Sequence, residues 1–181
     1  IGVAARFAAE KGIEYLFEAL PQIISNFKFQ ISNKQIRIVI AGSLDPVGEK
    51  DYKMKILKLV EKYKDYVVFL GELKEEEMGS FYSIIDVLIL PSVNSTEAFG
   101  MVQVEAMMMG VPVVATNLPG VRVPIQKTGM GLLVPIKDSK KLADAIIEIL
   151  LNKNKYIKES DLVNKEFSFE KTVEFYQKLL T

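Results

Sequence analysis

Short continuous runs of apolar and β-branched residues alternate along the chain with longer stretches whose apolar positions recur every three or four residues. The runs Ile1 to Ala5, Ile36 to Ala41, Val67 to Leu70, Val87 to Leu90, Val111 to Ala115 and Leu132 to Val134 predict strands buried on both faces, as in a parallel sheet. The stretches Gly12 to Phe27, Glu49 to Lys64, Glu75 to Ser83, Phe99 to Met109 and Ser139 to Leu151 carry the helical period. Alternation of this kind predicts a doubly wound α/β domain: about six parallel strands with helices on both faces. A last helix is expected from Ser168, whose hydroxyl can cap it, to about residue 180, with Phe169, Val173, Phe175, Tyr176 and Leu179 packing inward. Asn152 to Lys158, dominated by lysine and asparagine, reads as a surface connection, not a domain boundary.

Such a sheet places its ligand crevice beyond the carboxyl ends of the strands. There the sequence sets Arg6 after the first run, Gly42 and Ser43 after the second, Gly71 and Glu72 after the third, Pro91 and Ser92 after the fourth, and Thr116 and Asn117 after the fifth. One edge of the sheet therefore collects small and polar groups.

Composition narrows what that edge can do. The 181 residues hold 23 basic and 23 acidic side chains, so no overall field draws nucleic acid or an anionic membrane, and any anion must be met locally. There is no cysteine, which removes disulfides and thiol nucleophiles and suits a reducing compartment; the cytoplasm is the expected location. There is no histidine either, which excludes histidine bases and histidine-held metals from within this chain. No apolar run reaches the ~18 residues of a membrane span. The chain opens on Ile1 inside an expected strand, as a fragment of a longer protein would.

The segment from Pro91 to Val114 is the most informative: strand end, polar loop, apolar helix, glycine turn at Gly110, next strand. Its helix is nearly all apolar, hence expected to be buried, yet it carries Glu105 two turns in, while Glu97 precedes it in the loop. A buried carboxylate needs a partner. Vicinal hydroxyls of a sugar or ribose suit both glutamates, and the backbone N–H groups of Phe99, Gly100 and Met101 can receive phosphate or hydroxyl oxygens. A plainer reading stands beside this at about even weight: Glu105 solvated or paired with a lysine, Glu97 merely favouring the amino end of a helix. Arg6 and Lys11, between the first strand and the first helix, can clamp a diphosphate. For Lys11 alone, solvation is the stronger reading, whereas Arg6 at the strand end is harder to dismiss. Neither the Gly-x-Gly-x-x-Gly fingerprint nor a phosphate loop with Gly-Lys-Ser/Thr is present. Met107 to Met109 read as core filling.

Taken in order, Arg6-Phe-Ala-Ala-Glu-Lys11-Gly12, Ile40-Ala-Gly42, Phe69-Leu-Gly71, Asp86 to Ser92, Glu97-Ala-Phe-Gly100, Glu105-Ala106, Gly110-Val-Pro-Val-Val and Gly129 to Pro135 resemble glycosyltransferase family 4, the group 1 glycosyltransferases of GT-B fold. The resemblance covers almost the whole chain and implies the Rossmann-like carboxyl-terminal half of such an enzyme, residues 1 to 181, which binds a UDP-, GDP- or ADP-linked hexose. It implies that Glu97 contacts the donor sugar, Glu105 holds the ribose, Arg6 and Lys11 neutralise the diphosphate, backbone at Phe99 to Met101 binds sugar or phosphate oxygens, and Gly71, Glu72 and Leu73 lie beside the base. It further implies retention of anomeric configuration without a bound metal or cofactor. A glycan or lipid acceptor would sit on an amino-terminal domain absent from this chain, so that the fragment binds donor but turns over little. Peripheral membrane contact of the full protein fits the same picture. Two departures stand out: Val123 or Pro124 occupies the place of a glutamate common after the Pro119-Gly120 turn, and Phe169 that of a tryptophan. A sugar-nucleotide epimerase shares the architecture but needs acid and base groups missing from these motifs. A nucleotide-binding module without activity is the remaining alternative.

Overall fold

The computed structural model describes residues 1–30, 35–44, 48–168, 171 and 177. Its centre is a parallel sheet of six strands in the order β3-β2-β1-β4-β5-β6. The strands are β1 (Gly2–Ala4), β2 (Ile38–Ala41), β3 (Val67–Gly71), β4 (Leu88–Leu90), β5 (Val113–Thr116) and β6 (Gly131–Val134). Every strand expected from the sequence is present.

Period-two geometry divides their side chains between two cores. Val3, Ile38, Ile40, Ile89 and Val114 face one layer, made by α1 (Ile13–Gln30), α2 (Lys50–Lys62), α6 (Ser139–Leu151) and the one-turn α7 (Lys153–Tyr156). Leu88, Leu90, Val113 and Ala115 face the other, made by α3 (Glu75–Ser83), α4 (Met101–Met108), α5 (Arg122–Thr128) and α8 (Ser160–Glu166). The sheet is therefore doubly wound, with its switch point between the neighbouring central strands β1 and β4.

Several expectations are corrected. Val67 to Leu70 is not buried on both faces: β3 is an edge strand, Val67 and Phe69 pack on the first core, and Val68 and Leu70 are exposed because no helix covers them. The helix expected from Phe99 begins at Met101, because Gly100 adopts a left-handed conformation and ends the loop instead of opening the helix. Glu105 therefore lies about one turn from the amino end, not two. The helix is buried on one side only: Gln103, Val104, Ala106 and Met107 are enclosed, while Met101 is exposed.

Three helices were not expected. In α5, Pro124 falls in the first turn, where the missing N–H costs nothing, and Gly129 terminates the helix in a left-handed conformation. Within the surface connection, α7 anchors the chain through the buried Tyr156, whose hydroxyl donates to Glu148. The third, α8, buries Val163 in the second core. Of the terminal helix, the Ser168 hydroxyl accepts the Lys171 N–H at 3.1 Å, as a capping residue does, while Phe169, Val173, Phe175, Tyr176 and Leu179 lie outside the described residues.

Candidate functional site

The site grows out of the switch point, where the loops after β1 and β4 leave the sheet in opposite directions. After β1 the chain makes a short 3-10 turn, Ala9–Lys11, that ends at Gly12 with φ of 60°. A side chain is excluded at Gly12 twice over: the left-handed backbone disfavours one, and a Cβ would lie 2.3 Å from the Pro91 carbonyl oxygen. This close approach seats the first loop on the end of β4. The Val93 N–H donates to the Glu10 carbonyl at 2.9 Å and fastens the two loops further.

Across that seam the Lys11 ammonium meets the Glu97 carboxylate, Nζ to Oε2 at 2.7 Å, joining groups 86 residues apart in sequence. Their side chains are only 20% and 12% exposed, so Lys11 is not the solvated surface lysine that local chemistry favours. Buried Ser92 donates its hydroxyl to the same Glu97 oxygen at 3.2 Å, and the Ser92 carbonyl accepts from the Thr116 hydroxyl at 2.6 Å. One Glu97 oxygen is thus held from two sides.

Arg6 stands at the same edge with a largely exposed guanidinium that donates to Glu10 at 2.8 Å. Beside it, the Phe7 N–H donates to the Ser43 carbonyl and the Gly42 N–H to the Gly71 carbonyl, so the ends of β1, β2 and β3 lie side by side. Within that row Glu72 is exposed and Leu73 packs partly on the second core.

Beyond β4, the loop from Asn94 to Gly100 leads into α4. The buried Gln103 amide ties it down, donating to the carbonyls of Phe99 at 2.6 Å and Val121 at 3.0 Å. The Pro119-Gly120 turn packs so tightly on this loop that a Cβ at Gly120 would fall 1.6 Å from the Ala98 carbonyl oxygen. Phe99 itself meets Phe167 edge-to-face at 6.0 Å. The amino end of α4, at Met101, opens from this braced loop.

Glu105, one turn along α4, is paired with a phenol and not a lysine: buried Tyr82 of α3 donates to Oε2 at 2.7 Å. Burial, and then the hydrogen bond and negative charge of Glu105, push the Tyr82 phenol well above the usual tyrosine range. Tyr82 and Gln103 were not singled out from sequence, and Ser92 was placed only on the polar edge of the sheet, without a role. Each is an ordinary core or strand-end residue in the linear pattern, and only tertiary contact gives it a polar partner. Among the described residues no group of three acidic side chains lies close enough to hold a metal ion, and no helix is long and apolar enough to cross a membrane.

A family model, glycosyl transferases group 1, matches residues 1–165. The chain is 32% identical over 191 residues to a D-inositol 3-phosphate glycosyltransferase of Corynebacterium urealyticum, covering 100% of this chain and 43% of that protein. Anabaena Alr3699/HepE in complex with UDP and glucose superposes with a TM-score of 0.81 at 23% identity, over 99% of this chain and 47% of that one. The carboxyl-terminal domain of a group 1 glycosyl transferase, LpcC of Francisella tularensis, superposes with a TM-score of 0.73 at 24% identity, over 93% of this chain and 86% of that domain.

Proposed function

Since the chain belongs to the group 1 glycosyltransferases and has the fold of their carboxyl-terminal domain, we propose that it binds a nucleoside diphosphate sugar as donor for retaining hexosyl transfer. The observation that carries this reading is the meeting of Lys11 and Glu97 at the switch point between β1 and β4. There a cation suited to a diphosphate stands 2.7 Å from a carboxylate suited to sugar hydroxyls.

In this reading Arg6 and Lys11 neutralise the diphosphate and stabilise the negative charge that grows on it as the bond from sugar carbon to phosphate oxygen breaks. Glu97, with Oε2 held by Lys11 and Ser92, offers Oε1 to a sugar hydroxyl. Glu105 accepts from the ribose, backbone from Phe99 to Met101 receives sugar or phosphate oxygens, Gly42 and Ser43 floor the phosphate site, and Gly71 to Leu73 border the base. The two cations supply the charge that a metal ion supplies elsewhere. The chain spans less than half of the Corynebacterium and Anabaena relatives, and in this reading transfer to a glycan or lipid acceptor requires a second domain, so that by itself the chain binds donor with little turnover.

Calorimetric titration with UDP, GDP and ADP, followed by their glucose and mannose conjugates, tests the reading. One base is expected to bind selectively, and Glu105→Ala to weaken that binding. Arg6→Ala or Lys11→Ala should weaken the nucleoside diphosphate ~10-fold or more and the free nucleoside hardly at all, as expected of charge-assisted contacts of about 1.5–3 kcal/mol. Equal losses for both ligands would count against the clamp, and absence of binding by every nucleotide would count against donor recognition by this chain.

A further inference from the structure

The contact between Tyr82 and Glu105 carries an inference that rests on Glu105 being the ribose-binding group. A carboxylate has about four acceptor positions on its two oxygens and no donor. The Tyr82 hydroxyl occupies one position on Oε2 at 2.7 Å, and no other protein donor among the described residues reaches Oε1. The tyrosine ring is itself immobilised: it is 2% exposed, sits in the second core and meets Phe81 edge-to-face at 5.3 Å. A long, single-bonded glutamate side chain on α4 is therefore fixed by a rigid donor on a different helix.

We propose that Tyr82 is a positioning residue that holds Oε2 of Glu105 and leaves Oε1 presented to the vicinal 2′ and 3′ hydroxyls of a ribose, setting a preference for ribonucleotides over 2′-deoxyribonucleotides. The chemistry follows from donor counting. A ribose supplies two adjacent O–H groups to a carboxylate that already stands in register, whereas a 2′-deoxyribose supplies one and leaves an acceptor unpaired. Without the phenol, Glu105 samples other rotamers, and ordering it on binding costs part of what the second hydroxyl contributes. The raised position of the Tyr82 phenol keeps it protonated, hence a donor, throughout the neutral range.

The experiment compares UDP, GDP and ADP with their 2′-deoxy counterparts by calorimetric titration of the protein and its Tyr82→Phe variant, which keeps the ring and removes only the hydroxyl. The parent protein is expected to prefer the ribonucleotide ~10-fold or more, and Tyr82→Phe to reduce that preference to roughly threefold or less. In a Glu105→Ala background, Tyr82→Phe should have no further effect, because its influence passes through the carboxylate. Should Tyr82→Phe not fold, Tyr82→Met, which fills the space without a hydroxyl, carries the same comparison. An unchanged ribose preference in the hydroxyl-free variant overturns the proposal, as does an equal loss in the Glu105→Ala background. Nucleotide binding by the parent protein without any ribose preference overturns it while leaving donor recognition standing. No nucleotide binding by the parent protein removes both.

Discussion

At the scale of single residues, the candidate site holds two carboxylates each with one oxygen already engaged by protein donors. Glu97 gives one oxygen to Lys11 and Ser92, and Glu105 gives one to Tyr82. Ser92 is the less conspicuous of these partners, yet it is fully buried and its own backbone is tied to Thr116. Ser92→Ala should leave affinity for the nucleoside diphosphate unchanged and weaken the sugar-bearing donor about threefold to tenfold, the range of a modest hydrogen bond. Paired titrations with a nucleoside diphosphate and its glucose conjugate read this directly, and an equal loss on both would place Ser92 in the scaffold alone. Glu97, Glu105 and Arg6 stood out as candidates in the sequence because charge is conspicuous at a strand end or in an apolar helix, whereas the burial of Lys11 against Glu97 is tertiary and was not readable. The other partners of the glutamates were not readable either, because a serine after a strand and a tyrosine in an amphipathic helix look the same whether or not a carboxylate lies across from them.

Elements hold the site through a few contacts that admit little substitution. The amino end of α1 is pinned to α2 by Tyr52, which accepts the Ile13 N–H at 3.0 Å and donates to the buried carboxylate of Glu14; Lys55 reaches the other Glu14 oxygen at 3.2 Å. Tyr52→Phe leaves the buried Ile13 amide and one oxygen of Glu14 without this partner and should cost about 2–4 kcal/mol, measurable by urea unfolding. Gly120 presses on the loop before α4, and Gly120→Ala must push that loop away, with an expected cost of about 1–3 kcal/mol and loss of donor affinity. Retained affinity in a folded Gly120→Ala protein would show that the loop does not need this brace. Strand and helix order was readable because a buried parallel sheet demands continuous apolar runs. The exposure of β3 was not, since an edge strand can carry the same Val-Val-Phe-Leu as a central one. Nor was α5, seven residues containing a proline, too short to display a period.

For the molecule as a whole, buried phenols, Tyr52 and Tyr82 foremost among them, make stability depend on alkaline pH. Burial first, and then the neighbouring Glu14 or Glu105, raises the ionisation of Tyr52 and Tyr82 above that of an unfolded tyrosine, about 10. The contribution is fully present below pH ~10 and is lost as pH rises beyond it, when unfolded chains release protons that the folded protein keeps. Stability of the parent protein should therefore fall above pH ~10 more steeply than that of Tyr52→Phe, by about 1.4 kcal/mol per pH unit, in urea unfolding at pH 10 to 11.5. Parallel curves for the two proteins would rule this out. The pairing of Arg6 with Glu10 and of Lys11 with Glu97 bears on the protein's surroundings as well. Each cation meets an arriving anion with an internal competitor already seated, so inorganic phosphate, which brings neither ribose nor sugar, has little with which to displace it. Under the proposed reading a nucleotide-sugar donor would gain on several fronts at once, so the half-buried Lys11–Glu97 pair is expected to favour the donor over small anions such as phosphate.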